Sequence, residues 1–388
     1  MVVVDVDTHL ESGPELAAAF CDAVGGSMRH CPELRAMMFA GELLRALPPD
    51  RRPTGEQLYP TNPDEEPWSV RASVKYELPA NDDAAARIAW MDDNGIDVAM
   101  VNFGSSNVGA GVLLREVPDL QRLSSMTNDF IAERLDGHSD RLLQVAVLKD
   151  ASDMDWAVAE LTRMRARGCR GFSVPTKPAD GYAIGHPRWD RLWSAASNLG
   201  MIYVMHIGFT STFLDAGSAD SGWMLPDGAG AGGALRFLTS ESQLSAQRAL
   251  ATMVFGGAFA RHPNLTVLLE ETQAGWLPSF VDRLERLTLP HLEQFIGVWP
   301  YDLTAGEFMR RNVRATPLVS QGDDTMSLLA QIPEMMVFST DFPHPEGNDV
   351  FYDPGLATMN DALRESFLGA NIAACFDRMG DPLPVPSK

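Results

Sequence analysis

Asp5, Asp7 and His9 occupy every second position of the opening segment VVVDVDTHL. In a β-strand that spacing puts all three side chains on one face. Strands of a parallel sheet are buried on both faces, so three ionisable groups in succession on the inner side are costly unless something satisfies them. A metal ion would do so. The same residue types then recur behind other apolar runs. His206 follows MIYVM, Glu270 and Glu271 follow LTVLL, and Asp341 follows MMVFST, with His344 three residues further on. A single histidine at a strand end is more often a hydrogen-bonded core residue. Four strand ends carrying ligand-type residues favour one shared metal centre. The set holds carboxylates and imidazoles and no thiolate, which suits zinc, manganese or iron; three or more carboxylates shift the balance towards iron or manganese.

The elements that must position these residues alternate along the chain. Short β-branched runs at 2–7, 97–102, 142–147, 170–174, 201–205, 265–270, 312–319 and 335–340 are the expected strands. Amphipathic stretches at 84–94, 120–135, 153–167, 188–199 and 240–261 are the expected helices between them. Eight βα units predict an α/β fold of the (β/α)8 TIM-barrel type, a single domain over 1–388, in which all strand ends converge on one face. Two segments exceed the minimal unit: an N-terminal insertion over about 13–81, rich in Pro, Arg and Glu, and an insertion after strand 5 over 209–233 containing DGAGAGGAL. Loops of that length serve as lids, binding walls or subunit contacts, or as passive surface. Trp223, Met224 and Phe237 in the second could wall an apolar pocket or cover a subunit interface.

Adjacent strand residues point to opposite faces, so only one of Glu270 and Glu271 is expected to face inward. Glu271, in step with Val267 and Leu269, is that residue unless a bulge reverses the order. Asp5, one pleat deeper than Asp7, is expected to orient the ligands or to be one, and Glu270 is held in the same two roles.

A formal net charge of −21 disfavours nucleic acid and anionic membrane surfaces as partners. Four scattered cysteines, Cys21, Cys31, Cys169 and Cys375, read as reduced thiols. The N-terminal apolar run is too short for a signal peptide and no stretch reaches membrane-spanning length, which leads to the expectation of a cytoplasmic enzyme.

DVDTH, MDDNGIDVAMV, WDRLWSAASNLGMIYVMHIG, HPNLTVLLEETQAGWLP and FSTDFPHPEG together resemble the amidohydrolase superfamily, in the branch that includes aminocarboxymuconate-semialdehyde decarboxylase. The likeness spans nearly the whole chain outside the two insertions. It implies that Asp7, His9, His206 and Asp341 are metal ligands. In decarboxylases and hydrolases of that branch, strand six ends in an acid–base histidine followed by glycine; here Glu270 and Glu271 stand there. That departure, with His344 nearby, is similar to a smaller group on the same barrel, the non-haem dinuclear iron or manganese–iron oxygenases such as the platensimycin/platencin diterpenoid hydroxylase. The resemblance then implies two iron ions, or iron and manganese, held by Asp7, His9, His206, Glu271, Asp341 and His344. Glu271 and Asp341 would be the catalytic carboxylates of a monooxygenase that hydroxylates a C–H bond of a small organic acid or natural-product intermediate. Dioxygen, an electron donor and a homodimeric state complete that expectation. The alternative is a mononuclear hydrolase or decarboxylase, with one zinc and Asp341 as base.

Lys177 lies beside two prolines, three residues past its strand, and reads as a surface lysine. His186 and His262 each precede proline and are expected to face solvent or cap a turn. His30, His138 and His291 have no constellation of candidate ligands around them.

Overall fold

The computed structural model describes residues 2–10, 78–103, 120–176, 181–207, 230–344, 347–348 and 354–384. Most of the first insertion, Lys177, His30, Trp223 and Met224 fall outside these residues, and nothing is described of the Phe237 side chain.

Seven parallel strands lie side by side in chain order: β1 (Val4–Leu10), β2 (Val98–Phe103), β3 (Leu142–Val147), β4 (Gly171–Ser173), β5 (Ile202–His206), β6 (Val267–Glu270) and β7 (Val313–Ala315). Helices follow them on the outside, among them α1 (Ala84–Asp93) before β2, α2 (Leu120–Arg134), α3 (Met154–Ala166), α4 (Asp190–Asn198), α5 (Gly230–Phe255) and α6 (Ala258–Arg261). The first turns are fixed locally. The Asp83 carboxylate caps α1 through the Ala86 amide, and Asp153 caps α3 through the amides of Asp155 and Trp156. Among the described residues no helix is long and apolar enough to cross a membrane.

The eighth position is taken by residues 336–342. Met336 bridges Ala315 on β7, and Phe342 bridges Thr8 on β1, both in parallel sense. Val337 N donates to Ala315 O at 3.1 Å and Val6 N to Phe338 O at 3.1 Å; near the top, Asp341 N donates to Asp7 O at 2.8 Å and His9 N to Phe342 O at 2.7 Å. The barrel therefore closes on backbone hydrogen bonds, although this stave is not a regular strand as the sequence led us to expect. Two features interrupt the ladder. The β1 register shifts between Asp5 and Thr8, and Asp341 adopts a left-handed φ of 55°.

Side chains divide as the pleat requires. Val4, Val6, Val98, Met100, Leu143, Val145, Ile202, Val204, Leu268 and Val337 fill the barrel, closed at the strand N-termini by Ile372, Cys375 and Phe376 of the last helix, α7 (Asn371–Arg378). Ala99, Ala146, Phe172, Tyr203, Met205, Val267 and Leu269 face outward against the helices. Val267 and Leu269 thus point away from the barrel axis, so the alternation that was expected to carry Glu271 inward carries Glu270 inward instead.

Asp5 departs from expectation in a related way. It pairs with outward-facing Ala99, whereas the extra residue in β1 brings both Asp7 and His9 to the inside. Its Oδ1 accepts from Thr340 N at 2.9 Å and its Oδ2 from Thr340 Oγ1 at 2.5 Å, which makes it the tie between β1 and the eighth stave. Burial pushes its carboxyl up to about 7 against the lowering effect of those hydrogen bonds. An Asp5→Ala variant leaves the Thr340 amide and hydroxyl without their partner, and is expected to lose about 1–3 kcal/mol of stability. A urea midpoint unchanged from wild type would show that this tie is not needed.

Candidate metal centre

At the C-terminal mouth of the barrel the predicted residues come together. His9 Nε2 lies 3.3 Å from Asp7 Oδ1, 3.4 Å from Glu271 Oε1, 3.2 Å from Asp341 Oδ1 and 3.3 Å from His206 Nε2. His206 Nε2 is 3.2 Å from Glu271 Oε1, and His344 Nδ1 is 3.3 Å from Glu271 Oε1 and 2.9 Å from Asp341 Oδ1. The rings of His9 and His344 stack with centroids 3.9 Å apart. Asp7, His9, Glu271, Asp341 and His344 are buried and His206 nearly so. Two four-residue donor groups result, Asp7–His9–His206–Glu271 and His9–Glu271–Asp341–His344, overlapping at His9 and Glu271.

Both glutamates at the end of β6 take part, contrary to the expectation that one would face away. Glu270 is inward by the pleat. Glu271 escapes the alternation because the strand ends before it and its φ is 51°, in the left-handed region. Asp341 reaches the centre from a similar φ. For residues other than glycine that conformation costs about 1–3 kcal/mol each, and it clusters where surrounding structure enforces a functional arrangement.

These groups fit a metal better than they fit one another. His9 Nδ1 lies 3.2 Å from Phe103 O and His206 Nδ1 2.7 Å from Ile207 O. A carbonyl only accepts, so each Nδ1 carries the hydrogen, and in the neutral ring Nε2 presents a lone pair to the centre. Both oxygens of Asp341 and Oδ2 of Asp7 are buried without a hydrogen bond, despite nitrogens in the near vicinity of Asp341. Close approach without hydrogen-bond geometry is what ligands converging on a cation show. The electrostatics agree. Burial opposes charge on His9, His206, Glu271 and Asp341, yet the carboxylates of Asp341, Asp7 and Glu271 raise His9 well above the usual imidazole range, and Glu271 and Asp7 raise His206. Glu271 is held well below the carboxylate range, against its burial, by His206, His344 and His9. Burial, with the Glu271 charge beside it, pushes Asp341 up to about 7.

Two supporting residues lie outside the set expected from the sequence. Asn102, at the inner end of β2, donates from Nδ2 to Asp7 Oδ1 at 2.9 Å and to Glu270 Oε2 at 2.7 Å. Its signal was a lone amide in the otherwise apolar VAMVNF. Arg87 on α1 is buried; it donates to Thr8 Oγ1, His9 O and Ala80 O, and lies over the Phe342 ring, 4.6 Å from its centroid. It holds the top of β1 against the eighth stave. No pattern in the sequence marked it.

The residues set aside stay away from the centre. His186 Nδ1 accepts from Arg188 N as a turn cap, as expected. His262 is largely covered rather than solvent-facing, because Asp190 Oδ1 lies 3.0 Å from its Nε2. His138 is half-buried and His291 exposed.

An amidohydrolase family model matches residues 4–378. The chain belongs to the amidohydrolase family. No curated protein matches it. Among solved structures it is similar to an amidohydrolase from Mycobacterium avium subsp. paratuberculosis, at 19% identity over 97% of this chain and 99% of that one, with a TM-score of 0.67. It is also similar to 5-carboxyvanillate decarboxylase from Sphingomonas paucimobilis, at 17% identity over 97% and 99%, TM-score 0.61. A third is 5-carboxyvanillate decarboxylase from Novosphingobium aromaticivorans with bound manganese and 3-methoxy-4-hydroxy-5-nitrobenzoic acid, at 16% identity over 97% of each chain, TM-score 0.64. At these identities the likeness establishes the barrel fold of this amidohydrolase.

Ligation requires the protons on His9 and Asp341 to leave, so metal binding is expected to release protons. Below about 7, where Asp341 holds its proton, the apparent affinity for a divalent ion is expected to fall as pH falls. Titration calorimetry from pH 8 to pH 6, in buffers of different ionisation heat, measures both effects. Affinity independent of pH would contradict the assignment.

Proposed function

We propose that this amidohydrolase is a metal-dependent lyase or hydrolase, with decarboxylation of a small carboxylic acid as the leading reaction. The observation that carries this reading is the convergence of three imidazoles with Asp7, Glu271 and Asp341 at the barrel mouth, where Asp341 keeps two buried oxygens without hydrogen bonds. The manganese-bound and decarboxylating structural neighbours support it. A divalent cation at this site would supply Lewis-acid polarisation of a substrate oxygen and a bound water of lowered pKa.

The protein's own residues supply the rest. Glu271, kept ionised by its three rings, holds those rings in place. Asp341 is the proton carrier. In decarboxylation the carbon–carboxyl bond breaks, its electron pair stays on the substrate carbon, carbon dioxide leaves, and a proton that Asp341 takes up from solvent and passes on fills the vacated position. In hydrolysis the same carboxylate accepts a proton from water as it attacks. Phe103, Val145 and Val147 line a cavity with Asn102, Ser173 and His206.

A second reading is favoured by the overlap of the two donor groups at His9 and Glu271, and by the absence of an imidazole directly after β6. It is a two-ion centre of iron, or of iron and manganese, that uses dioxygen and an external electron donor to hydroxylate a C–H bond.

Manganese-loaded protein incubated with a panel of hydroxybenzoic and small amino acids is expected to release carbon dioxide from at least one. The Asp341→Asn variant is expected to lose about 10²–10⁴-fold in kcat. Substrate-coupled oxygen uptake by iron-loaded protein, without carbon dioxide release, would replace the decarboxylase with the oxygenase. Full kcat in Asp341→Asn would remove Asp341 from the chemistry.

A further inference from the structure

Asn102 bonds to two carboxylates from opposite sides of the barrel mouth. It lies at an inward position of β2, in register with His9 on β1, while Glu270 on β6 is in register with His206 on β5. Its Nδ2 reaches Asp7 Oδ1 at 2.9 Å and Glu270 Oε2 at 2.7 Å. Carboxylate oxygens accept, so the amide nitrogen must face both, with one hydrogen for each. The second oxygen of each acid, Asp7 Oδ2 and Glu270 Oε1, is buried without a hydrogen bond. Asn102 itself is buried, and it lines the cavity that touches His206.

The amide is suited to this place. Two carboxylates buried side by side repel, and a neutral residue that donates to both offsets part of that repulsion without adding charge. An aspartate would bring a third acidic group and no amide hydrogens. An alanine would leave both acids free to turn. Hydrogen bonds of this kind to a ligating carboxylate fix its orientation, and their loss weakens metal binding.

We propose that Asn102 is a positioning residue of the metal centre. Its amide locks Asp7 in its ligating orientation and holds Glu270 beside it, so that one residue of β2 fixes acids carried by β1 and β6. This rests on the metal-centre reading above.

The test is manganese(II) binding, followed by electron paramagnetic resonance titration of the full-length protein. Wild type is compared with Asn102→Ala, Asn102→Ser and Asn102→Asp, with circular dichroism of each metal-free variant as the check on folding. Asn102→Ala is expected to bind manganese about 10–100-fold more weakly. Asn102→Asp is expected to lose at least as much, and Asn102→Ser, whose hydroxyl still donates one hydrogen bond, to recover part of the loss. Should Asn102→Ala fail to fold, the order wild type, Ser, Asp remains the expected result. Folded Asn102→Ala or Asn102→Asp protein that binds within twofold of wild type would overturn the proposal alone. Wild type that binds no manganese, iron or zinc would overturn the metal-centre reading beneath it.

Discussion

Burying charge is the constraint on which this structure turns. Asp7, Glu270, Glu271 and Asp341 share one water-poor barrel mouth with three imidazoles. Protons alone cannot settle such a cluster. His9 Nε2, His206 Nε2 and His344 Nδ1 each face more than one carboxylate oxygen, and several oxygens are left with no hydrogen bond. A cation resolves the conflict by replacing many poor contacts with a few directed bonds, and the free energy of binding it then contributes to the folded state.

The barrel is deformed where the site requires it. The register shift in β1 turns Asp7 and His9 inward, while Asp5, left on the outer side, ties the strand to Thr340. Left-handed backbone at Glu271 and Asp341 aims side chains that a regular strand would have sent elsewhere. Below this layer Val4, Val98, Ile202 and Leu268 keep strict alternation and pack as an ordinary apolar barrel. Rigid packing beneath and irregular backbone above is how a common fold carries a specific site.

That division also explains what could be read from residue order. Most strand and helix positions were legible because apolar periodicity is a local property; β3 and α2 fall within a residue of expectation, whereas the helix expected over 240–261 begins at Gly230 and breaks at Gly257 before α6. The candidate ligands were legible because ionisable residues at the ends of apolar strands are costly without a partner. The reasons given for two of them were not right. Strict alternation placed Asp5 with Asp7 and His9 and chose Glu271 by its step with Val267 and Leu269, whereas a bulge and a left-handed residue produce the observed arrangement. Arg87 was illegible, and the lone amide of Asn102 did not disclose its role, because both act mainly through bonds to residues distant in the chain.

The claim at the centre of this account is that the cluster holds a metal ion. The most direct measurement is anomalous X-ray diffraction from crystals of the protein, collected on either side of the manganese, iron and zinc absorption edges. The expected result is at least one anomalous peak within bonding distance, about 2.0–2.3 Å, of His9 Nε2, His206 Nε2 and a Glu271 oxygen. A well-ordered cluster with no peak there, in crystals grown from metal-replete protein, would contradict it.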